Sequence, residues 1–364
     1  MLMSTRAANN FDIIRLTAAY GVLISHCWPL FGLEPEPIGH LMGFESLGFL
    51  CVNVFFFVSG FLVTQSFDRH AALRDFAIAR LTRILPALAV STILTAVVLG
   101  PIVSTLPVHD YFRDPRTWSY LGNALVFMPQ FDLPGVFSTV PTPNSVNGSL
   151  WTLPLEIAMY ATLVGVLLAF GSARLPLIAF CCTLLLILLI GEAHQRWNWT
   201  RSGPIMLPGI PAWQFLRLGV FFFAGAVFAR IHPRIPISPP LAVLASCLWL
   251  ASFHTAAIFT TTLLCGTYLV YCFAFSPAIV RRLPRLQGDI SYGVYLYAYP
   301  VQQCLAQSML PSFGPLATAV AAIVATTVLA WLSWHAIESP ALRFRTHLLT
   351  AGKAIAKRRD YENT

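Results

Sequence analysis

Residues 47–67 read Leu-Gly-Phe-Leu-Cys-Val-Asn-Val-Phe-Phe-Phe-Val-Ser-Gly-Phe-Leu-Val-Thr-Gln-Ser-Phe, a run without a single charged side chain. About 20 apolar residues at about 1.5 Å per residue cross the roughly 30 Å hydrocarbon core of a bilayer as a helix. The run shows no apolar-polar alternation, so a transmembrane helix is expected and a barrel strand is not. Nine more runs of spanning length fall at 11–31, 86–104, 149–170, 174–191, 211–230, 237–253, 256–275, 290–309 and 314–336.

Composition agrees with that stretch. Of 364 residues, 57% are hydrophobic and 10% charged, against about 25% charged in soluble proteins. Mean hydropathy is +0.69. Too little polar surface exists to cover a water-soluble globule, which excludes a soluble enzyme, a disordered chain, a coiled coil and a nucleic-acid module. The expected fold is all-α, a polytopic integral membrane helical bundle of about ten transmembrane helices. The eight cysteines sit within or beside apolar runs without zinc-like spacing, so they read as small buried hydrophobes. No metal site is expected, and no cleavable signal peptide.

The net charge of +8 reports topology. With the N-terminus inside and ten alternating spans, 18 of the 23 Lys and Arg fall in inner segments. Arg113, Arg116, Arg196 and Arg201 fall outside, and Arg217 lies within a span. Cytoplasmic loops are the basic ones, so both termini are expected in the cytoplasm. Residues 1–342 then form one membrane domain, and 343–364 a basic cytoplasmic tail lying against anionic headgroups. Of the outer segments, 105–148 is long enough to be a lid or binding loop. The connection after the fifth run places Trp197 and Trp199 beside His194, Arg196 and Arg201, which suits either a carbohydrate face or the interfacial aromatic belt.

Ionisable residues inside a bilayer are costly, so each is a candidate for function. Arg15 and His26 are eleven residues apart, which returns to within about 20° of one helix face and separates them by about 16 Å. An imidazole with an ordinary pKa near 6.5 can accept a proton from a sugar hydroxyl at neutral pH. Arg80 and Arg83 share a helix face just before the third run. Paired guanidiniums suit phosphate because each donates two parallel hydrogen bonds. Pro86 restricts continuation of that helix. Ser149 reads as an N-cap, with Glu156 two turns inside. A buried carboxylate must be paired, and either His26 or Arg217, or a structural ion pair, would serve. Ser59-Gly60 reads as a close-packing element.

Together these residues resemble the acyltransferase-3 family of integral membrane acyltransferases, of the surface-polysaccharide O-acetyltransferase type. The resemblance rests on six motifs in the family's order. They are Arg15 with His26, Phe55–Leu62, Arg80-x-x-Arg83-x-x-Pro86, Ser149–Glu156, Ser291–Leu296, and Trp334-His335-Ala336-Ile337-Glu338-Ser339-Pro340. It runs from about residue 9 to 345. It departs from the family at Ala298, where many members carry His, and at Asn53, where many carry Asp.

The resemblance implies transfer of an acyl group, acetyl in most members, from cytoplasmic acyl-CoA to a hydroxyl of an extracytoplasmic glycan. Exopolysaccharide and O-antigen are the acceptor classes it implies. It gives His26 the catalytic role as base or acyl-accepting nucleophile, and matches Glu156 to the family's acidic residue. It gives Arg15, Arg80 and Arg83 the donor-binding roles, and places the protein in a bacterial inner membrane. Membrane lipids are implied partners and nucleic acid is not. The rival class is a proton-coupled transporter or flippase of a glycan or lipid-linked sugar. That class predicts two related halves with broken helices, and no internal repeat is seen.

Overall fold

The computed structural model describes residues 9–69, 72–126, 128–171, 173–193, 205–207, 210–284, 286 and 288–346; for 191–193, 205–207, 210, 211 and 233 only the backbone is described. The tryptophan-rich connection holding His194, Arg196, Trp197, Trp199 and Arg201 lies outside these residues, as do Arg285 and 347–364.

Each apolar run becomes a helix. In chain order they are α1 (Phe11–Leu30), α2 (Leu47–Arg69), α3 (Leu73–Val103), α4 (Gly148–Phe170), α5 (Arg174–Ala193), α6 (Ala212–Ile231), α7 (Pro239–Ala251), α8 (Ile258–Phe275), α9 (Ser291–Ser308) and α10 (Leu310–Thr346). Seven of them, α1 to α4, α6, α8 and α10, are long and apolar enough to cross a membrane. A two-residue-deep ribbon, Ile205–Leu207 against Ile210–Pro211, is the strand structure among the described residues. The protein is a helical membrane protein.

α2 is the hub. It packs along α6 and against α1, while α9 joins α1 and α10. Two glycines set the α2–α6 approach: a Cβ on Gly60 would overlap the Phe222 carbonyl, and one on Gly225 the Phe57 carbonyl. Small residues let membrane helices close in this way, where lipid supplies no hydrophobic drive between them. Phe57 and Phe61 are buried at 1% and 0% exposure.

α3 corrects an expectation. The helix runs unbroken from Leu73 through Pro86 to Ile93 and continues through a π-helical turn at Leu94–Leu99. Proline is tolerated in membrane helices because neighbouring groups re-satisfy the freed backbone. The start of α4 is corrected too. Asn147 is the cap, its side-chain oxygen accepting from Ser149 N at 3.2 Å, while Ser149 Oγ has no hydrogen-bond partner among the described residues.

The 105–148 segment packs into a core that it shares with the helices beneath it. Tyr111, Tyr120, Leu133, Val136, Phe137 and Val146 are buried against α1 and α9. Gln303 donates to the carbonyls of Thr142 and Ser145 at 2.8 and 2.7 Å, and Asn147 to that of Leu296 at 2.9 Å. On its exposed side, hydrogen bonds from the Arg116 side chain and backbone hold the Asp114 carboxyl below its ordinary pKa.

Candidate active site

A cavity of about 390 Å³ opens between α1, α2, α3, α4, α9 and α10, within the usual size range of small-molecule sites. Five arginines line it: Arg15, Arg69, Arg80, Arg83 and Arg345. Asp12, Glu156 and Asp289 line it as well. Four of the five residues singled out in the sequence therefore share one cavity. Arg80 and Arg83 reach it from one face of α3, as their three-residue spacing requires.

The arginines differ in their partners. Arg15 and Arg83 both bind Oδ2 of Asp289. Arg83 also donates to Glu338 at 3.3 Å, and its guanidinium lies 5.8 Å from the centre of the Tyr292 ring. Arg15 lies 3.7 Å from Asp12. Arg80 donates to Ser66 Oγ at 3.3 Å. The sequence reading missed Asp289. Its position just ahead of an apolar run, with Ser291 two residues on, was the available signal. Glu338 was quoted there without a role.

Glu156 pairs with neither His26 nor Arg217, contrary to expectation. Ser59 Oγ donates to its Oε1 at 2.8 Å, and the Tyr160 hydroxyl donates to the same oxygen. Two neutral donors, one from a facing helix and one a turn further along α4, thus satisfy the carboxylate. Ser59 is a polar partner and only Gly60 the packing element. Arg217 pairs instead with Glu45, its guanidinium 4.6 Å from the Phe49 ring centre.

His26 stands apart, and it does not line the cavity. It sits near the far end of α1, half-buried, with its ring edge against Tyr299 at 5.3 Å between centroids. Its Nδ1 is buried and has no hydrogen-bond partner among the described residues. Gln302, one turn along α9 from Tyr299, donates to the Leu23 carbonyl at 2.8 Å and so ties α9 to this stretch of α1. All eight cysteines are free, and no cluster of metal-ligating residues occurs among the described residues.

A helical bundle with an arginine-lined cavity at one end of α1 and a histidine toward the other defines the class: an integral membrane protein with a charged internal site. A family model for an acyltransferase domain matches residues 9–335, and the chain belongs to the acyltransferase-3 family. An O-acetyl transferase of Shigella phage Sf6 is 32% identical over 337 residues, covering 91% of this chain and 95% of that one. Nodulation protein 10 of Rhizobium leguminosarum bv. viciae is 28% identical, covering 96% and 97%. No solved structure matches the chain. The protein is thus an acyltransferase of the kind that moves groups other than aminoacyl groups.

Proposed function

We propose that the protein is an O-acyltransferase of a bacterial inner membrane, moving an acetyl group from cytoplasmic acyl-CoA to a hydroxyl of an extracytoplasmic glycan. Ten helices span the bilayer with both termini in the cytoplasm, and 343–364 form a basic tail there. The carrying observation is the cavity with its five arginines, since guanidiniums match the geometry of phosphate groups. The nucleotide of the donor lies in this cavity, which Arg15, Arg80 and Arg83 line, and the pantetheine arm threads along α1 toward His26.

In the transfer the acceptor oxygen bonds to the thioester carbonyl carbon, the C–S bond breaks, and the CoA thiolate leaves. His26 takes the hydroxyl proton as general base, or first receives the acyl group on its ring and passes it on. Glu156 serves as a fixed carboxylate on the cavity wall. The test uses membranes holding the protein, labelled acetyl-CoA and purified surface polysaccharide. Label moving to glycan with wild type and lost with His26→Ala supports the reading. Retention of near wild-type transfer by His26→Ala overturns the role of His26, and no transfer by wild type overturns the activity.

A further inference from the structure

The three arginines given the donor role are electrostatically unequal. Asp289 is anchored by its own helix: Oδ1 accepts from Ser291 N at 3.2 Å and from Ser291 Oγ, at the start of α9. A carboxylate is favoured there by the positive end of the helix dipole. That fixes Oδ2 where Arg15 and Arg83 both reach it. Arg83 has a second carboxylate in Glu338, itself 3% exposed and held by Ser333 Oγ at 3.2 Å. Arg15 has a second in Asp12. Two cations thus face three anions, which leaves no net positive charge for an incoming phosphate.

Arg80 is different. No carboxylate among the described residues lies within ion-pair reach of it, and its hydrogen bond goes to the neutral Ser66 hydroxyl. Its Nε is buried and makes no hydrogen bond among the described residues. A buried, unmet donor on a cation is costly, and a phosphate in the adjoining cavity would satisfy it with a charge-assisted bond.

We propose that Asp289 is a positioning residue that withholds Arg15 and Arg83 from anionic ligands, and that Arg80 is the guanidinium of this group that binds the donor's phosphate. This rests on the reading of the cavity as the acyl-CoA site. Arg15 and Arg83 then act as struts joining α1, α3, α9 and α10, and of these three guanidiniums Arg80 is the one left to meet the ligand.

The experiment is calorimetric binding of CoA and of 3′,5′-ADP to purified protein in lipid nanodiscs. Arg80→Gln is expected to weaken both at least tenfold, and Arg83→Gln less than threefold. Asp289→Asn keeps the Ser291 contacts and frees two guanidiniums, so 3′,5′-ADP is expected to bind at least threefold more tightly. A purely structural role for Asp289 would not tighten binding. Equal losses in Arg80→Gln and Arg83→Gln, or weaker binding in Asp289→Asn, overturn the division. If Asp289→Asn or Arg83→Gln does not fold, Arg83→Lys against Arg80→Lys decides the matter, because lysine preserves the ion pairs but not bidentate phosphate binding. Failure of wild type to bind CoA at all would instead overturn the donor reading beneath it.

Discussion

Glu156 and Tyr160 lie one turn apart on α4, and the tyrosine hydroxyl donates to the carboxylate. Ser59 of α2 is the other donor to that oxygen. Tyr160→Phe leaves Ser59 alone to serve a charge at low dielectric. Hydrogen bonds to charged groups contribute about 1.5–3 kcal/mol, so a loss of that order is expected in thermal unfolding of the detergent-solubilised protein. No change in melting temperature would show that Glu156 is held otherwise.

Rapid-quench experiments separate the two roles open to His26. A labelled acyl-protein that forms in wild type and is absent from His26→Gln marks the acyl-imidazole route. Turnover without trapped label marks direct attack with His26 as base. His26→Gln is expected to insert normally, because the buried Nδ1 of His26 makes no hydrogen bond among the described residues.

The α2–α6 contact predicts an unusual cost for a small substitution. Gly60→Ala places a methyl group against the Phe222 carbonyl, and neither helix can retreat without losing the other's packing. Overpacking of this kind costs about 1–3 kcal/mol. Gly60→Ala should lower the melting temperature, and Gly165→Ala, with open space around its Cβ, should not.

Arg217 and Glu45 form a largely buried pair. Breaking one side of such a pair leaves a stranded charge, at about 3–5 kcal/mol. Glu45→Ala is therefore expected to destabilise the protein markedly, and Arg217→Met with Glu45→Met together to recover much of the loss. A double variant no better than Glu45→Ala would contradict this.

Much of the architecture was legible because charge is scarce. In a chain with 10% charged residues, Arg15, Arg80, Arg83 and Glu156 stood out against apolar runs, and the cavity gathers all four. What sequence could not supply were contacts between partners far apart in the chain. Ser59 meets Glu156 across 97 positions with nothing in its local pattern to distinguish it from a packing serine. Arg217 and Glu45 were each visible, but which opposite charge each would meet depends on helix adjacency. The 105–148 segment read as a loop because its apolar residues are dispersed; only folding collects Tyr111, Tyr120 and Phe137 into one core.

The clasp at Asp289 also imposes an order on synthesis. Arg15 and Arg83 emerge early, yet Arg83 waits 206 residues for Asp289 and 255 for Glu338. Until that part of the chain is made, Arg83 lacks both of its carboxylates and Arg15 has only Asp12. A nascent chain halted after α8 carries that imbalance permanently. The segment from Asp289 onward thus supplies both carboxylates that close on Arg83.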